Sequence, residues 1–525
     1  MAAVDRVSVT FVRVGLLALA GLLLWHAYYF AAGAMRAVAY PHELDYGEGI
    51  VWFQVQQLFA GKAFGDIHQF PAVVFHYTPL FHFLSGLVAA MGVDGLAAGR
   101  IVSLLSTAAM VILIGAIVRH VILQSFGTRQ TAYACAAIAG FTLLVAFPVK
   151  IWAPLMRVDM LAFALALAGI YAGLRAIRQP AQIYLAAFFF VLAVYTKQTM
   201  IAAPASVFLV LLLYRPRTAV AGILTCVVAG SIALAALAYA TDGGFLRHIF
   251  LYNVNRIVLD RIEQIGIIAF SHSVLIMAAL VGVATTIPAL RRYAVRRRES
   301  EPQDVAYAML GCYFLLTTIM LLLVLKSGSS ANYFIEWFAV LAIYVGFAMR
   351  IAVERSFGTS QPGATKTGFA DELAVVALCA QALFLAPDQY PARFFQVRAA
   401  GLAQLTELVR QAKGPVISDD MVVVVRAGRP VLWEPAIFNE LAATGVWDEK
   451  PFIQMIEQHR FAMFIIYQGR GPHLFSLRFS PAVGAAIDRA YQPREKIAGL
   501  TVYYPRVTRP ADPVVRAAST AGRST

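Results

Sequence analysis

The stretch Tyr40-Pro41-His42-Glu43-Leu44-Asp45-Tyr46-Gly47-Glu48-Gly49 stands just past the first apolar segment of the chain. It brings three carboxylates, Glu43, Asp45 and Glu48, together at a bilayer exit in a sequence that is only 14% charged. A carboxylate at a membrane boundary is costly unless it faces water or a site, which makes these three functional candidates. Gly47 and Gly49 let the backbone turn and come close to a ligand. Residues 50–60 follow with Val51, Val55, Leu58 and Phe59 on one side and Gln54 and Gln57 on the other. That pattern predicts a helix lying in the interface plane.

The whole chain is consistent with a membrane setting. It has 525 residues, is 60% hydrophobic and has a mean hydropathy of +0.69, values of a polytopic membrane protein rather than a large soluble core. Its 43 Lys and Arg outnumber 29 Asp and Glu, yet the basic residues fall in short clusters at the ends of apolar runs. That is a topology signal, not a nucleic-acid footprint, and no nucleic-acid partner is expected. Cys135, Cys226, Cys312 and Cys379 all lie inside apolar segments without paired spacing, so neither a disulfide framework nor a zinc site is legible. No small-residue cleavage site follows the first apolar run, which reads as a retained helix.

That first span covers 11–33, with Arg6 and Arg13 favouring a cytoplasmic start. The next apolar piece, 79–92, is too short for a routine span. Taken as interfacial or re-entrant, it leaves 34–98 as one long external loop with two juxtamembrane helices, and every later loop then obeys the positive-inside rule. Further spans are expected at 99–120, 130–149, 158–176, 181–196, 199–214, 218–240, 266–290, 304–325, 331–350 and 370–386, about eleven in all. From 387 the composition becomes that of a soluble domain. Alternating short strand-like and helical segments predict a small external α/β domain over 387–508, and 509–525 reads as a disordered tail. No internal repeat is visible, which argues against a transporter built from two related halves.

With this topology the external face collects polar residues from several loops: Asp45, Glu48, His68, His76 and Tyr77, then Lys150, Arg157 and Asp159, then Lys197 and Gln198. Later loops add Arg247, Arg256 and Arg261, and then Lys326, Asn332, Tyr333 and Glu336. Plainer roles compete. Arg157 and Asp159 can pair with each other or anchor to headgroups, and the 247, 256, 261 arginines can face lipid phosphates. His68 and His76 lack the spacing of a helical metal pair. Asp419-Asp420 reads as a turn. The Asp45 and Glu48 pair resists such readings, because an interfacial position, flanking glycines and an amphipathic continuation coincide there.

Four segments in order carry a resemblance. An Asp-x-x-Glu-like element opens the first loop; Tyr77-Thr78-Pro79-Leu80-Phe81-His82-Phe83-Leu84 leads to Gly99-Arg100; then come Arg157-Val158-Asp159-Met160-Leu161-Ala162 and Gly328-Ser329-Ser330-Ala331-Asn332-Tyr333-Phe334-Ile335-Glu336. Together they resemble the GT-C-fold membrane glycosyltransferases of the protein mannosyltransferase and aminoarabinose transferase kind, over roughly residues 1–390, with 1–386 as the transmembrane domain. The resemblance implies a polyprenyl-phosphate-sugar donor and a glycan, lipid or protein acceptor. It also implies a bacterial inner-membrane location with a periplasmic active face, and no cofactor beyond a possible divalent metal. Asp45 takes the catalytic carboxylate role, with Glu48 beside it and Asp159 as the second-loop acid. Chemistry of this kind needs a carboxylate to accept the acceptor's proton and cations to hold the departing phosphate. Arg157, Lys197 and Arg256, with Tyr77, Asn332 and Tyr333, are the expected donor-binding set. The alternatives are a transporter or flippase of polyprenol-linked glycans, or an O-antigen polymerase or ligase. Ionisable residues at helix ends, rather than helix centres, favour transfer chemistry.

Overall fold

The computed structural model describes residues 2–125, 127–357, 368–467 and 472–506. The proposed tail, 509–525, lies outside them. The first helix, Ala2–Ala39, runs unbroken for 38 residues. At 1.5 Å per residue that is about 57 Å, well beyond a hydrocarbon core of about 30 Å. Seven helices among the described residues are long and apolar enough to cross a membrane, and Leu80–Ala90, Gln182–Val194, Ala202–Tyr214 and Glu372–Phe384 are shorter apolar helices. Burial sorts the long ones into layers. The span Ala331–Phe357 has 89% of its apolar window buried and Asp159–Ala176 has 72%, so these two form the centre; Pro216–Ala240, at 6%, turns its apolar sides outward, where lipid covers them.

The long first loop holds two short helices, Glu48–Phe59 and Leu80–Ala90. They pack tightly because Gly86 has no side chain: a Cβ there would lie 1.9 Å from the Phe59 ring. Between them the Gln54 amide nitrogen donates to the Val74 carbonyl at 2.8 Å, and its Oε1 meets His82 Nε2 at 3.0 Å, which ties the two short helices together inside an apolar contact. One expectation is corrected here. The apolar side expected to meet the interface, with Val51 and Val55, is covered by protein instead: every residue of Glu48–Val55 is buried. The short helix Met421–Arg426 of the C-terminal region covers it, so closely that a Cβ on Gly49 would meet the Val422 backbone nitrogen at 2.4 Å.

The chain after the last apolar helix is tied to the first: Arg36 pairs with Asp388 at 2.9 Å and donates to the Tyr390 carbonyl at 3.0 Å. Beyond the amphipathic helix Ala392–Gln411, the strands Val416–Ser418 (β1), Met463–Tyr467 (β2), Tyr491–Ile497 (β3) and Leu500–Pro505 (β4) form one sheet in the order β1-β2-β4-β3. β1 runs parallel to β2, and β4 is antiparallel to both β2 and β3. The run of valines at 422–425 has strand propensity but folds as a helix. Asp420 caps it, its carboxylate accepting from the Val423 nitrogen at 3.1 Å, and all four valines are buried. The structure is thus an α-helical polytopic fold with a small C-terminal α/β unit, and that unit sits over the first loop. A parallel bridge between Ala72 and Trp433 stitches the two together.

Candidate active site

At this junction lies a cavity of about 280 Å³, walled by Tyr46, Tyr77, Arg157, Lys197, Lys326 and Tyr333 from the membrane part and by Glu434, Glu440 and Arg478 from the C-terminal unit. Arg157 reaches it from the loop ahead of the helix Asp159–Ala176. Its guanidinium donates to Asp45 at 2.9 Å and, very closely, to the Tyr46 carbonyl. Gly47, at φ 96°, makes the approach possible, since a Cβ there would lie 2.8 Å from the guanidinium. Lys197 follows the helix Gln182–Val194 and pairs with Asp159 at 2.6 Å, its ammonium 4.7 Å from the Tyr333 ring centre. Asp159 also accepts from Trp152 at 2.7 Å and from Asn332 at 2.8 Å. Lys326 is half-buried, and burial first, then the nearby Lys197 charge, pulls it below the ordinary lysine value. Two cations facing one space in this way favour an anionic guest.

A second cavity, about 250 Å³, lies beside the first and shares Tyr46 and Arg478 with it. Its walls are acidic: Glu43, Asp45, Asp419 and Asp420, against Arg398 and Arg478. The Arg478 guanidinium stacks 4.1 Å over the Tyr46 ring and pairs with Asp419 at 2.9 Å, so the partition between the cavities is a fixed cation–π contact. Partial burial raises Asp45 above its ordinary value, and Arg157 offsets only part of that. Its side chain keeps 40% of its surface exposed, so it is the carboxylate of this group that solvent and ligand can reach. Burial, then Asp420, Glu48 and Asp45, holds Glu43 well above its usual value, and burial pushes Asp420 up to about 6.

The expected residues therefore divide. Arg157, Lys197, Tyr77 and Tyr333 share one cavity, and Asp45 stands at its edge, in the second cavity. Asp159 and Asn332 are buried behind Lys197 and line neither. Arg256 is not on the wall either; it pairs with Glu440 at 2.9 Å, and Ser327 donates to the same carboxylate at 2.7 Å. Glu48 departs furthest from expectation. It is fully buried, with Arg100 at 2.7 Å and the Leu44 and Met156 nitrogens each donating at 2.8 Å. Burial would raise its carboxyl, but the Arg100 charge and these hydrogen bonds leave it below the usual value. Arg100 also donates to the Ala37, Tyr40 and His42 carbonyls, so this pair folds the loop rather than meeting a substrate. Glu434, Glu440 and Arg478 carry no local signal in the sequence; only the docking of the C-terminal unit brings them here. Among the described residues no group of three or more His, Cys, Asp or Glu side chains is arranged to hold a metal ion.

A helical membrane core, a long first loop carrying two short helices and a polar cavity under a C-terminal cap define this chain as a membrane protein of the GT-C fold. ArnT from Cupriavidus metallidurans, solved bound to undecaprenyl phosphate, is similar to it at a TM-score of 0.56 and 12% identity, over 92% of this chain and 98% of that one. The apo form of the same protein gives the same TM-score and identity over 92% and 97%. A weaker likeness, TM-score 0.49 at 12% identity, extends to the apo oligosaccharyltransferase of Archaeoglobus fulgidus, over 92% of this chain and 75% of that one. No protein-family model and no curated protein matches the sequence.

Proposed function

We propose that this protein transfers a glycosyl group from a polyprenyl-phosphate-linked donor to an acceptor hydroxyl, with Asp45 as the proton-accepting carboxylate. The observation that carries this reading is the Asp45–Arg157 pair, in which a base at the edge of an acidic cavity is joined to a cation on the wall of a basic one. A lipid-linked phosphate suits the cationic cavity, where Arg157, Lys197 and Lys326 converge; the similar ArnT structure holds undecaprenyl phosphate. The acceptor enters through the second cavity and presents its hydroxyl to Asp45. As the acceptor oxygen bonds to the anomeric carbon, Asp45 takes its proton and the bond from that carbon to the phosphate oxygen breaks. The polyprenyl phosphate leaves with the electron pair, and the three cations hold the charge it gains.

Arg157 links the two halves of the reaction. While it pairs with Asp45 it keeps that carboxylate ionised; a donor phosphate competing for the guanidinium weakens the pair and makes Asp45 a stronger base. Asp159 and Asn332 act as positioning residues that fix Lys197, and Glu48 with Arg100 fixes the loop carrying Asp45. An external active face is supported by the Asp94–Arg426 pair, which puts the first loop and the C-terminal unit on one side, and by Arg291, Arg292 and Arg296 in the C-terminal turns of the helix Ser273–Arg296.

The test is transfer by the purified full chain in nanodiscs, from undecaprenyl-phosphate-linked monosaccharides to extracted envelope glycans and lipids. Sugar appearing on an acceptor, with undecaprenyl phosphate released, supports the reading. Vesicle uptake of a lipid-linked glycan with no transfer would replace it by a transport function.

A further inference from the structure

Glu434 is 6% exposed, lines the cationic cavity, and has an Oε2 that is buried without a hydrogen-bond partner. A carboxylate in that state is costly to keep, which calls for a reason. Helix capping does not supply one. Glu434 precedes the helix Pro435–Ala443, but its side chain makes no cap bond; Pro435 has no N–H, and the Ala436 nitrogen donates to the Tyr46 hydroxyl at 3.3 Å instead. Nor is the residue loosely placed. The Ala72 nitrogen donates to the Leu432 carbonyl at 2.8 Å, and Trp433, 2% exposed, stacks on Phe452 at 4.3 Å. Burial holds the carboxyl up at about 7, with Arg157 the charge that opposes it.

A second orphan acceptor sits on the same wall. Gln198 spends its amide nitrogen on the His76 carbonyl at 2.7 Å, and its Oε1 is buried without a partner. Two unpaired acceptors in one cavity require a guest that brings hydrogen-bond donors. At the Glu434 end of the cavity a phosphate brings none and is repelled by the ionised carboxylate, so the phosphate belongs at the cationic end; an ammonium is repelled by Arg157, Lys197 and Lys326. A neutral polyol satisfies both walls, and the rings of Tyr46, Tyr77 and Tyr333 supply flat apolar faces for its C–H groups.

We infer that Glu434 of the C-terminal unit, together with Gln198, binds hydroxyls of the transferred sugar, so that the C-terminal unit reads the glycosyl group while the membrane part holds the phosphate. This rests on the glycosyl-transfer reading above and adds the residue that selects among donors. A site built to pair with substrate hydroxyls discriminates strongly, because an unmatched ligand leaves the buried acceptors unpaired.

The experiment is equilibrium binding to the full chain in nanodiscs, with bare undecaprenyl phosphate and with undecaprenyl-phosphate glucose, mannose and galactose as probes. For the wild type, at least one glycosylated lipid should bind about tenfold or more tighter than the bare lipid. Glu434→Ala should abolish that increment and leave the bare-lipid affinity within about twofold; Glu434→Gln, which keeps one acceptor oxygen, should lose part of it. Neither variant should lower the melting temperature, since each removes an unpaired buried carboxylate; a merely structural Glu434 would show the reverse, a lower melting temperature with unchanged binding. An increment that survives Glu434→Ala, or a wild type with no preference for any of the three sugars, overturns this inference and leaves glycosyl transfer standing. A wild type that binds no lipid phosphate overturns the transfer reading itself.

Discussion

The guanidinium of Arg157 lies 2.9 Å from the carboxylate of Asp45, and the two residues, 112 positions apart, line adjoining cavities of opposite charge. Arg157 is the cation that acts most strongly on Asp45, ahead of Arg478, and Asp45 is the carboxylate that acts most strongly on Arg157, ahead of Asp159. In the proposed reaction this pair sets both the strength of the base and the place of the leaving group.

Asp45→Asn keeps the shape and one acceptor oxygen but removes basicity. Turnover should fall by about two to four orders of magnitude, with undecaprenyl phosphate binding retained. In the wild type the rate should decline as pH drops through the raised Asp45 value, because the protonated carboxyl cannot accept a proton. Arg157→Met removes the cation that opposes this rise, so the acidic limb of the rate profile should move to higher pH. An unmoved limb would assign it to another group.

Lys197 and Asp159 form a buried pair and should separate into two phenotypes. Lys197→Ala should weaken binding of bare undecaprenyl phosphate by the equivalent of about 1.5–3 kcal/mol, and it also lowers stability by leaving the buried Asp159 without its cation. Asp159→Asn leaves the lysine charge uncompensated and should cost about 3–5 kcal/mol of stability. Adding Lys197→Met to Asp159→Asn should restore part of that stability and none of the lipid affinity, read by thermal scanning and by titration.

Glu48→Gln and Arg100→Met should each destabilise the protein by about 3–5 kcal/mol, because each strands a fully buried charge. The loss should show as lowered melting temperature and yield, before any kinetic defect is seen. If Glu48→Gln instead folds normally and only turnover collapses, Glu48 belongs with Asp45 in the chemistry.

Glu43 supplies a test of pH-dependent stability. Its folded-state pKa lies above the unfolded one, so the fold favours the protonated form; nothing is lost below the unfolded value of about 4.3, and a penalty grows as pH rises above it. Glu43→Gln should melt with the wild type near pH 4 and higher than the wild type at pH 8. Equal melting at both values would mean that the cavity solvates the ionised carboxylate.

Sidedness can be read by cysteine labelling of intact cells. Positions beside Asp94 and Arg426, which pair at 2.6 Å, should react from outside, and a position beside Arg297 should be protected. The opposite pattern would move the whole cavity to the cytoplasmic face.

The sequence by itself determined what depends on neighbours along the chain. Long apolar runs closed by arginines dictate spanning helices, because an unbroken run must satisfy its own backbone in lipid. A short run such as Leu80–Ala90 cannot cross, and the carboxylates, glycines and aromatics beside it mark the loop after the first helix as exceptional. Asp45, Arg157, Lys197, Tyr77 and Tyr333 were legible as candidates because each stands at the end of an apolar segment, where charge is otherwise hard to explain. What each one touches was decided only by tertiary structure. Glu48 and Asp45 are three residues apart on the same loop, yet one meets Arg100 in a sealed interior and the other meets Arg157 at a cavity edge. Arg256 looked like a phosphate ligand until Glu440, 184 residues away, neutralised it. Glu434 and Arg478 become part of a site only when the C-terminal unit docks on the first loop. The physical reason is common to all of these: the role of a charged group follows from its partner and its exposure, and both are fixed by packing between segments that the chain order keeps far apart.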